Sequence, residues 1–372
     1  MAEAAIRRRR AAAALVLVPA AAFGFACGAS LGDGSGAAPS AAARLTVSQL
    51  AGERIVAGFE GRTPPRPLRR MIRAGRIAGV ALYADNLRSP EAGRRLIAEL
   101  QRIRRPAGLR DPLLVMIDQE GGRVKRLEGA PAASAREMGL RGAAFSRRQG
   151  RLTAATLREA GANVDLAPVL DVARAGGVIA EEERGFGATA AAVSAGAVPF
   201  AQGLQAGGVA ATAKHFPGLG AAALNTDVAV QRIGSGRARL RGIDEAPYRS
   251  FIAAGGDLVM LSTAIYPAFS PRPAAFSRAL AESELRDRLG FRGVSITDAL
   301  DSVAVGAFGG AARAGAAAAG AGTDLLLYTD IGPAAGAHRA LVSRLRSGAL
   351  PRGPFEASAD RVLGLRHRLG LR

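Results

Sequence analysis

The feature of this sequence that most constrains its fold is a series of eight short β-rich runs, each followed by a helix-like stretch. Strands that alternate with helices form parallel sheets, and eight such units are enough to close a barrel. The sequence therefore predicts the α/β class, as a single (β/α)8 TIM-type barrel. The runs are IVAGFEG from Ile55, GVALYADN from Gly79, LLVMIDQEGG from Leu113, NVDLAPVLDV from Asn163, GVAATAKHFPG from Gly208, LVMLSTAIYP from Leu258, GVSITDAL from Gly293 and TDLLLYTD from Thr323.

Charged and polar residues collect at the ends of several of these runs. The clusters Asp118-Gln119-Glu120, Lys214-His215 and Thr297-Asp298 each follow an apolar stretch. In barrels of this type the active site lies where the carboxyl ends of the strands meet the loops. The sequence therefore predicts an enzyme whose site is spread over several strand ends.

The barrel is predicted to occupy residues 45–372, after two segments of different character. Residues 1–27 combine four arginines at positions 7–10 with an apolar stretch and small residues, the pattern of a secretory signal. Residues 28–44 have the Gly/Ala/Ser composition of a flexible linker. We therefore expect an exported protein that is either secreted or held at the cell envelope.

The only cysteine, Cys27, stands at the end of the signal-like stretch. A buried structural cysteine is disfavoured because no foldable sequence surrounds it. Its position is similar to that of the lipid-attachment cysteine of bacterial lipoproteins, although Gly24 and Phe25 depart from the usual pattern. The sequence leaves both a lipid-anchored and a free form open.

The formal net charge is +19, and only two of the 50 basic residues, Lys125 and Lys214, are lysines. A solvated arginine-rich surface is the simpler interpretation, and a polyanion site is the alternative. Nucleic-acid binding is not predicted, because the basic residues are not interleaved with aromatics. Histidine and cysteine are too few for a transition-metal site, and no strand is followed by GxGxxG, so neither a metal nor a nucleotide cofactor is predicted.

The segment KHFPGLG begins at Lys214. Gly218 and Gly220 predict a tight turn just past a strand end, where the backbone can approach a ligand. Lys214 and His215 can donate hydrogen bonds to hydroxyls or to an amide carbonyl. The alternative for His215 is a purely structural group.

The segment DQEGGRVKRL begins at Asp118. Its double glycine, Gly121-Gly122, predicts a turn of the chain over the barrel mouth. Arg123 and Arg126 are suited to fix carboxylates. The alternative is an internal ion pair of Asp118 or Glu120 with an arginine.

Together with NVDLAPVLDV, EERGFG, LVMLSTAIYP and FRGVSITDAL, these two segments resemble glycoside hydrolase family 3, specifically its single-domain bacterial β-N-acetylhexosaminidase branch. The resemblance runs from about Leu45 to the C-terminus in the family's order. It implies a catalytic barrel that binds a terminal N-acetylglucosamine. It also implies a sugar-binding role for each of Asp118, Arg126, Arg184, Lys214 and His215.

The same resemblance implies that Asp298 is the catalytic nucleophile. The chemistry of the position agrees, because a retaining glycosidase needs a carboxylate that attacks the anomeric carbon, and Asp298 follows the apolar run GVSIT. The alternative is that Asp298 caps the helix after Leu300. We expect Asp301 to be the better cap.

The acid/base is the point where the sequence departs from the family. The family's loop after KHFPG carries Asp-Ser-His, with the aspartate holding the histidine that transfers the proton, whereas this chain has Asn225-Thr226-Asp227. Asp227 is therefore the candidate acid/base. Leu224, Val228 and Ala229 are predicted to desolvate it and to raise its pKa. The alternative is a protein that hydrolyses poorly.

The leading functional prediction is an exo-acting retaining glycosidase that releases β-linked N-acetylglucosamine from peptidoglycan fragments or chitooligosaccharides. One alternative is a β-glycosidase of other sugar specificity, and another is a catalytically weak sugar-binding lipoprotein. The expected partner is thus a carbohydrate, with a membrane contacted only through Cys27. The sequence does not indicate an oligomeric state.

Overall fold

The computed structural model describes residues 40–371, and all eight predicted runs contain strands. The predicted signal with Cys27, and linker residues 28–39, lie outside the described residues. The strands are β1 (Ile55–Ala57), β2 (Gly79–Leu82), β3 (Leu114–Ile117), β4 (Gln119–Gly121), β5 (Val124–Lys125), β6 (Val164–Asp165), β7 (Ala210–Phe216), β8 (Leu258–Leu261), β9 (Val294–Thr297) and β10 (Leu326–Tyr328).

Eight of these strands form one parallel sheet in the order β10-β1-β2-β3-β6-β7-β8-β9. The sheet closes because Ile296 of β9 bridges in parallel to Leu325, just before β10, and the Thr297 amide donates to the Leu325 carbonyl at 2.9 Å. The predicted TIM-type barrel is therefore confirmed. The remaining pair, β4 and β5, is an antiparallel hairpin placed directly after β3.

Helices follow the barrel strands and surround the sheet. They are α1 (Val47–Gly52), α2 (Arg66–Arg73), α3 (Pro90–Arg102), α4 (Ala135–Arg141), α5 (Ala143–Ala160), α6 (Val178–Glu181), α7 (Ala190–Ala206), α8 (Arg237–Arg239), α9 (Ala246–Ala253), α10 (Val303–Gly306), α11 (Ala311–Gly320), α12 (Ile331–Arg346) and α13 (Arg352–Gly370). Short 3-10 turns span Ala42–Arg44, Ala107–Leu109 and Ala274–Phe276, and π-helical segments span Leu240–Asp244 and Ala279–Arg288.

Several helices begin at residues that favour a helix start. The Ser134 side chain accepts a hydrogen bond from the Glu137 amide while the Glu137 side chain accepts one from the Ser134 amide, which satisfies two amides that lack helical partners. Ser89, Thr189 and Asp330 cap α3, α7 and α12 in a simpler way. These local signals fix where each chain segment leaves the barrel rim.

The apolar core has two parts. One lies inside the barrel and includes Val56, Leu114, Met116 and Ile296, all essentially unexposed. The other lies between the sheet and the helices, where the strand residues of opposite parity point. Burial on both sides explains why the runs read as continuously apolar rather than alternating.

The last helix covers the face of the barrel where the strands begin. Val362, Leu365 and Leu369 of α13 pack on the inner cluster. The fully buried Arg366 pairs with Glu53 and donates to three carbonyls, one of them Pro112, in the segments that lead into β1 and β3. The opposite face, where the strands end, is left to the loops.

The folded domain begins slightly before the predicted boundary at residue 45. Ala42 is fully buried, and its amide donates to Asp360 of α13 at 2.9 Å. Residues 42–44, predicted to be linker, therefore pack on the barrel. Among residues 40–371, no helix has the length and apolar character needed to cross a membrane.

Candidate active site

A cavity of about 420 Å³ opens at the end of the barrel where the strands finish. This volume falls in the range of small-molecule sites. The structure brings together every catalytic and binding residue predicted from the sequence for this barrel. The lining includes Asp118, Arg126, Arg184, Lys214, His215, Asp227 and Asp298.

Three of these residues belong to a chain of charges centred on the buried Glu120. Lys214 places Nζ 2.6 Å from Asp118 Oδ1 and 2.7 Å from Glu120 Oε1. Arg184 donates from Nε and Nη2 to the two oxygens of Glu120, each at 2.8 Å. Bidentate pairing of this kind fixes the plane of the guanidinium as well as its position.

The pKa values of Glu120 and Lys214 both shift towards their charged forms. Burial by itself would raise the pKa of Glu120, but the charges of Lys214 and Arg184 outweigh burial and lower it to about 2. Burial likewise opposes the charge of Lys214, yet Asp118 and Glu120 raise its pKa above the ordinary lysine value. Glu120 therefore forms an internal ion pair with an arginine, which was the alternative interpretation of the DQEGGRVKRL segment. Asp118 is half-buried and faces the cavity while it holds Lys214.

The hairpin β4–β5 carries the arginines of the DQEGGRVKRL segment to the cavity. Gly121 has φ +95°, and a Cβ there would lie 2.3 Å from the Ala133 carbonyl oxygen, so only glycine fits. The buried Gln119 side chain accepts from the amides of Arg126 and Leu127, each at 3.0 Å. The predicted turn over the barrel mouth is confirmed, and Arg126 lines the cavity with its buried Nε unpaired.

His215 is held by a carboxylate that the sequence analysis did not single out. The fully buried Asp171 lies with Oδ2 2.8 Å from His215 Nδ1, and its Oδ1 accepts from the amides of His215 and Leu219. The contact to Nδ1 orients the ring and leaves Nε2 as the nitrogen for a ligand. The contact gives His215 a structural partner, and its sugar-binding role stays a prediction.

Asp298 follows β9 at the rim of the cavity. Its amide donates to the Leu261 carbonyl of β8 at 2.9 Å, which ties the residue to the sheet. Its Oδ1 accepts from the Ala299 amide at 2.8 Å, and its Oδ2 accepts from the Thr226 hydroxyl at 3.2 Å. The next helix, α10, begins after Ser302, so Asp298 does not cap it and that alternative is wrong.

The expectation that Asp301 caps the next helix is also wrong. Helix α10 begins after Ser302, which occupies the N-cap position. The Asp301 carboxylate instead accepts from the amides of Thr329 and Asp330 and from the Thr329 hydroxyl. It bridges the loops after β9 and β10, which are neighbours only in the closed barrel.

The loop that carries Asn225-Thr226-Asp227 folds across the cavity beside Asp298. Asn225 Oδ1 accepts from the Asp227 amide at 3.0 Å, an Asx turn that shapes the loop locally. Thr226 is almost fully buried and binds Asp298, while the Asp227 carbonyl accepts from the Val303 amide at 3.3 Å. The loop is therefore joined to Asp298 itself and to the start of α10.

Asp227 remains accessible from the mouth of the cavity. Desolvation by the surrounding protein and, next in size, the charge of Asp298 raise its pKa to about 6. The direction agrees with the prediction, but the predicted cause is wrong in part. Leu224 and Val228 are 52% and 62% exposed, so their side chains point largely to solvent and do not desolvate the carboxylate.

Comparison with known proteins assigns the family. Residues 45–365 match the family model described as the glycosyl hydrolase family 3 N-terminal domain. The chain belongs to glycoside hydrolase family 3. The match covers most of the chain, and the predicted family and enzyme class, a glycosidase, are confirmed.

The relatives of this family 3 chain include a secreted protein and a protein of known structure. An uncharacterized secreted glycosyl hydrolase of Arthroderma benhamiae is 36% identical over 90% of this chain and 96% of its own length. A β-hexosaminidase of Xylella fastidiosa is 36% identical over 68% of this chain and 76% of its length. The structure of a β-N-acetylglucosaminidase from Paenibacillus sp. superposes with a TM-score of 0.82 at 33% identity, over 87% of this chain and 63% of that one.

Sequence reasoning missed several members of the family 3 pocket. Tyr83 directly follows β2 and lines the cavity, where burial and then the carboxylates around it raise its pKa. Met260 in β8 adds an apolar contact surface. Glu182 lines the rim and lies 3.3 Å from Arg184. Tyr83 could have been predicted from the sequence, because it directly follows a strand, as several of the other polar candidates do.

The cavity can hold a neutral polar ligand with many hydroxyls. It offers cationic donors and carboxylate acceptors, and Asp227 and Asp298 both lie along its lining. Within residues 40–371, no group of three or more His, Cys, Asp or Glu side chains is arranged to hold a metal ion. The described residues that line the cavity present carboxylate, ammonium, guanidinium and imidazole groups.

Proposed function

We propose that this protein is an exo-acting, retaining β-N-acetylhexosaminidase that releases terminal N-acetylglucosamine from peptidoglycan fragments or chitooligosaccharides. The observation that carries the proposal is the convergence of all seven candidate residues on one cavity at the strand ends. The names of the Xylella and Paenibacillus relatives support the choice of sugar.

The sugar is held by the charge chain and by His215. Asp118 accepts hydrogen bonds from ring hydroxyls while remaining paired with Lys214, and Arg126 and Arg184 donate to the ring and its substituent. Arg184, Lys214 and His215 are fixed before the ligand arrives, because Glu120 and Asp171 already hold them. A pocket organised in advance loses less entropy on binding.

Asp298 attacks the anomeric carbon and forms a covalent glycosyl ester, while the bond to the leaving oxygen breaks. Its two hydrogen bonds, from Ala299 and Thr226, keep one orientation of the carboxylate. Water then attacks the ester and releases the sugar with its original anomeric configuration. A carboxylate at a strand end suits this role, because the sheet restricts its movement.

Asp227 donates the proton to the leaving oxygen and later removes one from the attacking water. A pKa of about 6 keeps a useful fraction protonated near neutral pH. Part of that elevation comes from the Asp298 charge, and ester formation removes that charge. The pKa of Asp227 then falls, so that the same group becomes a base for the second step.

The test compares three variants on two substrates. Asp298→Asn should lose turnover of both an aryl β-N-acetylglucosaminide and a natural disaccharide while still binding the sugar. Asp227→Ala should lose the disaccharide but retain an activated aryl substrate, whose departure needs little protonation, and azide should restore part of its lost rate. Asp287→Ala, an exposed control, should behave as wild type. Near-full activity of Asp298→Asn would overturn the nucleophile assignment.

The alternatives are separated by the same assays with the matching aryl β-glucoside added as a third substrate. Preference for an aryl β-glucoside would indicate another sugar specificity, to which the altered loop would have contributed. Sugar binding by wild type without turnover of either substrate would indicate a sugar-binding protein, and equal disaccharide hydrolysis by wild type and Asp227→Ala would remove Asp227 from the mechanism.

We also propose that the protein is exported and anchored through a lipid on Cys27. The support is the signal-like pattern of residues 1–27 and the secreted Arthroderma relative. Metabolic labelling with a radioactive fatty acid should mark the wild type and not Cys27→Ser. Label that persists in Cys27→Ser, or its absence from exported wild type, would overturn the anchor.

A further inference from the structure

A second cavity, of about 610 Å³, lies on the side of the barrel away from the active site. Its walls come from Ser48 of α1, Arg76 between α2 and β2, and the last part of α12. Each of these elements stands near the beginning of a strand or at the end of a returning helix. The cavity therefore belongs to the strand-start side, opposite the sugar pocket.

The lining of this cavity is basic and rich in hydroxyl groups. Arg76, Arg339 and Arg346 contribute guanidinium groups, and the lining contains no carboxylate; its remaining members are Ser48, His338, Val342, Ser343 and Ser347. In the active site, by contrast, Lys214 and Arg184 are neutralised by carboxylates.

None of the three arginines forms an ion pair with another residue of the described chain, 40–371. The charges of Arg76 and Arg339 act on His338 in the wall of the cavity. Burial lowers the pKa of His338, and the two arginines lower it further. His338 is only 6% exposed, and its Nε2 lies 2.8 Å from the Ser48 carbonyl oxygen. Three uncompensated cations around a concave surface form a site for an anion.

We propose that this cavity binds the phosphate of an anionic lipid headgroup and holds the strand-start face of the barrel against a membrane. Phosphate oxygens match both guanidinium and hydroxyl donors. The first described residue, Ser40, lies eight positions in the sequence before Ser48, which lines the cavity. The twelve residues between Cys27 and Ser40 can span at most about 45 Å, which limits how far Ser40 can lie from a membrane that held Cys27.

Lipid binding at this face would leave the sugar pocket open on the far side. The orientation rests on the proposed anchor at Cys27, but the phosphate site does not. It is also independent of the catalytic assignment, because none of its residues lines the sugar pocket. Vesicle binding can therefore fail while the glycosidase assay succeeds, and the glycosidase assay can fail while vesicle binding succeeds.

The experiment measures co-sedimentation of the full chain, carrying Cys27→Ser, with vesicles of phosphatidylcholine alone or mixed with phosphatidylglycerol. The cavity variant combines Arg76→Gln, Arg339→Gln and Arg346→Gln. The matched control removes the same charge from exposed arginines on other helices, through Arg95→Gln, Arg151→Gln and Arg249→Gln. Both triple variants should unfold at the wild-type temperature.

Each basic side chain near an anionic surface contributes about fivefold to membrane affinity. We therefore expect the cavity variant to bind the anionic vesicles about 100-fold more weakly and the matched control to lose about fivefold or less. Equal losses would show that overall charge, not the cavity, is responsible and would overturn the proposal.

Absence of wild-type binding to anionic vesicles would overturn the proposal as well. Soluble glycerol phosphate distinguishes the source of the phosphate. If it bound the wild type as tightly as the vesicles do, the ligand would be a free phosphate ester and the membrane orientation would be wrong. Weak competition, needing concentrations above those of the vesicle lipid, supports the membrane.

Discussion

Replacing Glu120 with glutamine tests whether the buried charge chain organises the sugar pocket. Glu120→Gln keeps the volume but removes the carboxylate that holds Arg184 and Lys214. Lowering the pKa of this carboxyl from 4.5 to about 2 corresponds to about 3 kcal/mol of stability. This value lies at the low end of the free-energy cost of breaking a buried ion pair. A low value is expected, because Arg184 still pairs with Glu182 and Lys214 still pairs with Asp118.

The loss should be visible in thermal unfolding and in substrate capture. Unfolding entropy of about 2.1 cal/mol/K per residue over roughly 330 residues converts 3 kcal/mol into a Tm lower by about 4 °C. Released from Glu120, the two cations lose their fixed geometry, so kcat/KM should fall by about tenfold or more. The control Glu182→Gln removes a more exposed partner at 3.3 Å and should lower Tm by less than about 1 °C.

The pH dependence supplies the refutation. A carboxyl whose folded pKa is lowered contributes stability that is fully present above its unfolded pKa of 4.5 and is lost as the pH falls towards 2. The Tm difference between wild type and Glu120→Gln should therefore be full at pH 6 and shrink below pH 4.5. A difference of the same size at pH 6 and pH 3 would show that packing, not charge, causes the loss.

Two further substitutions probe the contacts behind the catalytic groups. Thr226→Val removes the hydroxyl that donates to Asp298, so kcat should fall about tenfold at unchanged KM and the acid limb of the kcat–pH profile should move to higher pH. Thr226→Ser should restore both kcat and the position of the acid limb. An unmoved acid limb in Thr226→Val would argue against a role of Thr226 in orienting the nucleophile. Asp171→Asn should lower kcat/KM by about 10- to 100-fold, because the amide cannot hold the His215 ring as the carboxylate does. Wild-type kinetics in a folded Asp171→Asn variant would exclude a role of Asp171 in positioning His215.

The sequence by itself determined the architecture and the composition of the pocket. Eight apolar runs separated by helix-forming stretches leave a parallel barrel as the natural way to bury both faces of the strands. A barrel brings all strand ends to one rim, so Asp118, Lys214 and Asp298 had to meet whatever the details of packing. The turn at Gly121-Gly122 was also predictable from the sequence, because the positive φ that glycine allows is a local property of the chain.

Only the tertiary structure decided which side chains support the pocket. Glu120 meets Arg184 across 64 positions, Asp171 meets His215 across 44, and Thr226 meets Asp298 across 72. These pairs depend on strand register and on the path of long loops, which a pattern of apolar runs does not encode. Asp301 shows the same effect, because a plausible local helix cap was displaced by a partner loop that barrel closure brought alongside it.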